Sequence, residues 1–229
     1  MSANPYLIGI AGPSGAGKSY LAHHLADALH APVLALDRYY RDLSHLPFKQ
    51  RVRSNFDEPA ALEESLLIAQ VAELRHGRAI DLPAYDFSLH SRLPMTQRFE
   101  PTPYVILEGL FTLYWQELRE LLDTRVYVET DDNLCLARRI ERDTRERGRS
   151  RHSVVWQFQS TVAPMAERYV RPSRQFADLT LAGDTPIADG VARVLDHVRS
   201  CPRQADSKTP LPTVRPCLSS SHSGIRGNS

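Results

Sequence analysis

The sequence predicts an α/β fold, a parallel sheet flanked by helices, and three observations carry that prediction. Over the first 200 of the 229 residues, short apolar runs alternate with amphipathic stretches, the pattern of strand–helix–strand units. The stretches place apolar residues at three- and four-residue spacing, as helices with one buried face do. A glycine-rich turn, Gly12-Pro-Ser-Gly-Ala-Gly-Lys-Ser19, separates the first run from the first stripe.

In chain order, the candidate strands are Tyr6–Ala11, Val33–Leu36, Tyr104–Leu107, Arg125–Val128 and a weaker Leu179–Leu181. Leu21, Leu25 and Leu29 form one helical stripe, and Leu62, Leu66, Ala69 and Leu74 a second. Val155, Phe158, Val162 and Met165 form a third, and Ile187, Val191, Val194 and Val198 a fourth. All four read as core packing. Residues 80–99, with Pro83 and Pro94, do not follow a helical pattern and read as a loop or small hairpin insertion beside the main sheet. Residues 201–229 hold four prolines, six serines and two glycines. That composition buries too little apolar surface to offset its ordering entropy, so a disordered tail is expected after a single domain of residues 1–200.

Composition excludes several classes. Apolar residues make up 42% and charged residues 24%, with a formal net charge of +1. A general nucleic-acid binder needs a dominant basic face, which this balance does not provide. No apolar run approaches a membrane span, and no basic-then-apolar leader opens the chain. Cys135, Cys201 and Cys217 lack metal-ligand or CxxC spacing and read as reduced thiols, so a cytoplasmic protein is expected.

The turn at 12–19 satisfies the P-loop pattern G-x4-G-K-[ST] in its proper context, a strand before and an amphipathic helix after. Gly12, Pro13, Ser14, Gly15, Ala16 and Gly17 would turn backbone amides toward phosphate oxygens at a helix N-terminus. Lys18 would reach the β- and γ-phosphates, and Ser19 would ligate Mg²⁺. Lys18 reads as ligand-facing rather than core, so replacing it is expected to leave the fold intact. A regulatory GTPase needs D-x-x-G and N-K-x-D motifs, and neither is found. A small-molecule kinase remains, which requires an acidic partner for Mg²⁺, a base for the attacking hydroxyl, and cations for the transferred charge.

Two carboxylates follow candidate strands, where a parallel sheet presents its ligand crevice. Asp37 follows Val33–Leu36 and is the better candidate base; Glu108 follows Tyr104–Leu107 and suits the metal. Between Arg138 and Arg151, seven arginines stand against Glu141, Asp143 and Glu146. Helical i,i+4 pairs account for Arg139 with Asp143, Arg142 with Glu146, and Glu141 with Arg145. Arg147, Arg149 and Arg151 flank Gly148 and read as part of a flexible lid over residues 138–152.

With these motifs in order, the chain resembles the uridine kinase (uridine–cytidine kinase) family of P-loop kinases over roughly residues 6–180. The resemblance rests on Gly9–Ser19, Asp37-Arg-Tyr-Tyr40, Asn55-Phe-Asp-Glu-Pro59, Ile80–Phe87 running to His90-Ser-Arg92, Ile106-Leu-Glu-Gly109, and Arg138–Asp143 through Glu146-Arg-Gly-Arg149, with Gln157 and Pro172 to Asp178 beyond. It implies a P-loop NTPase-type fold and transfer of the γ-phosphate of ATP or GTP to the 5′-hydroxyl of uridine or cytidine. It further implies Asp37 as base, with Ser19, Asp37 and Glu108 around Mg²⁺. Asp57, Tyr85, His90, Arg139, Arg149 and Gln157 would contact the nucleoside, Arg142 and Arg147 the triphosphate. A homotetramer is implied as well. The alternatives are a kinase of another hydroxyl metabolite, as in phosphoribulokinase, or a nucleotide-binding regulator with weak turnover. Two departures stand out: Ala182-Gly183-Asp184 where a basic Pro-Arg-Gly-Gly type of turn is expected, and Arg38 where a small residue is expected.

Overall fold

The computed structural model describes residues 4–201. The chain opens with β1 (Tyr6–Ala11), all six of whose residues are buried, as a central strand covered on both faces requires. It continues through α1 (Lys18–Leu29), β2 (Val33–Ala35), α2 (Phe48–Arg51) and α3 (Glu64–Arg75) to the strands β3 (Ile80–Asp86) and β4 (Ser91–Phe99). Then come β5 (Tyr104–Glu108), α4 (Gln116–Leu121), β6 (Thr124–Glu129), α5 (Asp132–Glu146) and α6 (Arg151–Gln157). A short α7 (Ala163–Met165), β7 (Leu179–Ala182) and α8 (Ile187–Ser200) complete it.

Five strands form a parallel sheet in the order β2-β5-β1-β6-β7, and β3 pairs antiparallel with β4 as a separate hairpin. The expected α/β architecture with a hairpin insertion is therefore present. Strand alternation divides the core between the two faces. Leu7, Leu34, Val105 and Leu107 pack with Leu67, Val71 and Leu74 of α3. Ile8, Ile10, Ile106 and Val126 pack with Leu21 and Leu25 of α1 and Val194 and Val198 of α8.

Register sets the working edge of the sheet. Ile10 of β1 and Ala35 of β2 both pair with Glu108, so the loops after β1, β2 and β5 leave from one place. Asp37 does not sit directly on the end of its strand. β2 stops at Ala35, and a 3₁₀ turn over Leu36–Tyr39 carries the carboxylate.

Two predicted stripes shift. In α3 the buried face is Leu67, Val71 and Leu74, whereas Leu66 is half-buried and Ala69 exposed. Leu62 is buried, but it precedes the helix. From α6 to Val170, the buried residues are Val154, Phe158, Val162, Ala166 and Val170, in place of Val155 and Met165. A strict four-residue repeat drifts around a 3.6-residue helix. Wider π turns at Phe158–Val162 and Ala166–Val170 take up the drift. The tail expected at 201–229 lies outside the described residues, apart from Cys201. Among the described residues no helix is long and apolar enough to cross a membrane.

Candidate active site

The loop between β1 and α1 is built by glycine. Gly12 has φ of 148°, and a Cβ there would lie 2.4 Å from the Val128 carbonyl oxygen of β6. Only a residue without a side chain lets the loop lie flat against the strand. Lys18, the first residue of α1, donates from Nζ to the Pro13 carbonyl at 2.9 Å. At 8% exposure it is buried, which corrects the expectation of a freely ligand-facing lysine. Burial pushes its pKa down, opposed by the charges of Glu108 and Asp37.

Those two carboxylates face it. Burial raises the pKa of Asp37, with Lys18, Arg147 and Arg142 pulling the other way. Burial also raises Glu108, again opposed by Lys18. Ser19 Oγ donates to Glu108 Oε2 at 3.1 Å. Two carboxylates that burial drives toward protonation, with a hydroxyl beside them, need positive charge. Among the described residues no group of three His, Cys, Asp or Glu could hold a metal by itself. The set of Ser19, Asp37 and Glu108 suits Mg²⁺, which keeps waters and phosphate oxygens in its shell and takes only one or two carboxylates.

Asp57 lies across the cleft. Burial raises its pKa, and Arg139 is the strongest opposing charge. Beside it stands an aromatic wall. His90 stacks on Phe56 with centroids 5.0 Å apart, Tyr40 meets Phe56 edge-on at 5.1 Å, and Tyr40 lies 5.5 Å from Tyr85. The Tyr85 hydroxyl is buried with no hydrogen-bond partner, and burial pushes its pKa up to about 12. Burial and the nearby Arg147 and Arg149 push His90 down, so its ring is neutral at pH 7. An orphaned hydroxyl beside stacked rings suits a flat ligand that also hydrogen-bonds.

The arginines converge from α5 and the turn after it, where Gly148 has φ of 62°. Arg139 donates to Ser14 Oγ at 2.6 Å and to Gln157 Oε1 at 3.3 Å. Arg149 also donates to Gln157 Oε1. Arg142 does not pair with Glu146. Its Nε donates to Asp143 at 2.8 Å, while Arg139 does pair with Asp143 and Arg145 with Glu141. Asp143 has no solvent exposure, and Arg139, Arg142, Arg147 and Arg149 all lie within 3.8 Å of it.

Hydrogen bonds, ring contacts and nearby charges thus connect Ser14, Lys18, Ser19, Asp37, Asp57, Tyr85, His90, Glu108, Arg139, Arg142, Arg147, Arg149 and Gln157 to one another or to shared neighbours. Four contributors were missed: Asp143, the wall residues Tyr40 and Phe56, and Arg138. Arg138 donates to the carbonyls of Ala16 at 3.2 Å and Gly183 at 2.9 Å, clamping the loop to the turn after β7. A cavity of about 540 Å³ opens there, lined by Gly17, Tyr20, Arg138, Gly183, Asp184 and Thr185. Gly183 itself is compulsory, since a Cβ would lie 1.9 Å from Thr130 Oγ1. The departure from a basic turn therefore keeps its glycine.

A triphosphate cradle whose lysine faces paired carboxylates at the carboxyl edge of a parallel sheet belongs to the P-loop kinases as a class. Within that class, the chain belongs to the Phosphoribulokinase / Uridine kinase family, whose profile matches residues 7–184. It is 43% identical over 193 residues to a protein named uridine kinase from Chloroflexus aggregans, covering 82% of this chain and 92% of the relative. It is 41% identical to another uridine kinase, from Staphylococcus haemolyticus, covering 78% and 88%. A solved structure from Silicibacter sp. TM1040 superposes with a TM-score of 0.65 at 22% identity, over 79% of this chain and 91% of that one. That likeness concerns the fold alone.

Proposed function

We propose that this protein transfers the γ-phosphoryl group of ATP to the 5′-hydroxyl of uridine or cytidine, giving ADP and the nucleoside 5′-monophosphate. Two relatives named uridine kinase, each spanning more than three quarters of the chain, support the substrate class. The observation that carries the chemistry is the shared sheet edge at which the loops of Lys18, Asp37 and Glu108 leave, with Ser19 Oγ donating to Glu108 Oε2 at 3.1 Å.

Each residue then has a task. The amides of Gly12–Ser19 cradle the phosphates, and Lys18 lies against the transferring group. Asp37 takes the 5′-hydroxyl proton as that oxygen attacks phosphorus and the bond to the ADP oxygen breaks. Arg142 and Arg147 spread the developing charge. Ser19, Asp37 and Glu108 would hold Mg²⁺, which would neutralise charge on the phosphate oxygens. Asp57 accepts from the ribose hydroxyls, with Arg139, Arg149 and Gln157 beside it, and the pyrimidine lies against Tyr85 and His90. Residues 80–99 serve the acceptor side, and 138–152 close over the phosphates.

ADP release is the test, run with ATP and Mg²⁺ against uridine, cytidine, ribulose 5-phosphate or no acceptor. Release that depends on uridine or cytidine is expected. Equal release with ribulose 5-phosphate, or none beyond the acceptor-free background, overturns the reading.

A further inference from the structure

Arg139 lies between the two halves of the cleft. Its side chain is 7% exposed, and its guanidinium holds Ser14 Oγ of the glycine loop with one Nη and Gln157 Oε1 with the other. It also faces Asp57, whose burial it opposes more than any other charge. The P-loop pattern leaves position 14 open, because the cradle works through main-chain amides and not through that side chain. Yet in this chain the Ser14 hydroxyl points away from the cradle's own chemistry to a buried arginine on α5. Arg139 Nε is buried without a hydrogen-bond partner. A lysine could not replace it, since two acceptors in different directions require the planar fork.

We infer that the Ser14–Arg139 hydrogen bond couples the two substrate sites, so that triphosphate in the cradle tightens the nucleoside site. The loop bearing Ser14 wraps the phosphates. When they are bound, the loop has one conformation, Ser14 Oγ is fixed, and the Arg139 fork is fixed with it. That fork then meets Gln157 and Asp57 in the geometry the nucleoside needs, and the nucleoside site no longer bears the cost of ordering it. By linkage the nucleoside tightens triphosphate binding by the same factor. Ser14 is thus a positioning residue, acting through Arg139. The inference rests on the proposed function for the identity of the two ligands.

Calorimetric titration of uridine into the protein, alone and with a saturating non-hydrolysable ATP analogue and Mg²⁺, reads the coupling as the ratio of the two Kd values. The wild-type ratio is expected to be about fivefold or more, the lower end of ordinary coupling between sites. Ser14→Ala should cut that ratio at least about threefold. Arg139→Lys, which leaves the loop sequence intact, should also abolish most of the coupling, and it supplies the answer should Ser14→Ala not fold. A wild-type ratio near one, or an unchanged ratio in either folded variant, overturns the coupling while leaving the kinase reading in place. Failure of the wild type to bind uridine at all sinks both, and is recognised by the first titration alone.

Discussion

Arg142 Nε donates to Asp143 Oδ1 at 2.8 Å, although Asp143 lies on the same helix one residue away and is wholly buried. Three more guanidinium groups approach the same carboxylate, from Arg139 at 3.8 Å, Arg147 at 3.7 Å and Arg149 at 3.6 Å. The Asp143 carbonyl also accepts from the backbone N–H of Arg147 at 3.3 Å and of Arg149 at 3.1 Å. One acid therefore ties together the turn that brings the arginines to the cleft. Four positive charges against one negative leave an excess that a polyphosphate would balance.

Asp143→Asn is expected to lower both stability and turnover. Removing one partner of a buried ionic group costs about 3 kcal/mol, at the low end because Arg142 and Arg147 are partly exposed. Loss of arginine placement by about 1 Å costs on the order of 100-fold in kcat. Denaturant unfolding and steady-state kinetics check both. A variant with wild-type kcat would show that the arginines find their places without this acid.

Lys18→Ala is expected to cost more than turnover. The buried ammonium is the main charge opposing the burial of both Asp37 and Glu108. Without it, two carboxylates stay buried with less compensation, so Tm should fall alongside a kcat loss of on the order of 100- to 1,000-fold. Calorimetry and ADP release measure the two effects. A kcat near wild type would remove Lys18 from the phosphate cradle.

Much of this site is legible in the sequence because its parts are local. The P-loop is eight consecutive residues, and Asp37 and Glu108 announce themselves by following apolar strands. What escapes is what the turn after α5 creates. From spacing alone Asp143 has two helical partners, Arg139 and Arg147, each four residues away. Arg149 reaches it from beyond the turn at Gly148. The wall of Tyr40, Phe56, Tyr85 and His90 draws on three segments far apart in the chain, so no window of sequence contains it. The π turns after α6 are readable in retrospect, since an apolar residue at every fourth position fits neither a strand nor a regular α-helix.

Burial raises the pKa of Asp37, and the sign of its pH dependence follows. A carboxyl that binds its proton more tightly when folded lowers stability as pH rises above its unfolded pKa, and the full cost is present above its folded pKa. Asp37→Asn should therefore raise Tm at pH 7, by an amount that shrinks on acidification. In the wild type, kcat/KM, which reports the free enzyme, should fall with acid as Asp37 protonates. Thermal melts and a pH–rate profile test this. A variant less stable than wild type at pH 7 would mean that contacts of the charged form outweigh its burial.

Asp37 and Asp57 are expected to divide the labour within one cleft. Asp37 stands beside Lys18 in the turn after β2, whereas Asp57 answers chiefly to Arg139 beside the aromatic wall. Asn at position 37 keeps the shape but removes the base, a role worth about 10²–10⁴-fold in rate. The loss should appear in kcat, with uridine binding largely retained. Asn at position 57 weakens a charge-assisted hydrogen bond to the ribose, worth about 1.5–3 kcal/mol. Its main effect should be a KM for uridine raised on the order of 10- to 100-fold, with poorer discrimination against 2′-deoxyuridine. Both variants remove one buried negative charge, so a general electrostatic or folding effect would move both sets of constants alike. Equal kcat losses in the two variants, with deoxyuridine discrimination intact in Asp57→Asn, would place both carboxylates in the same role.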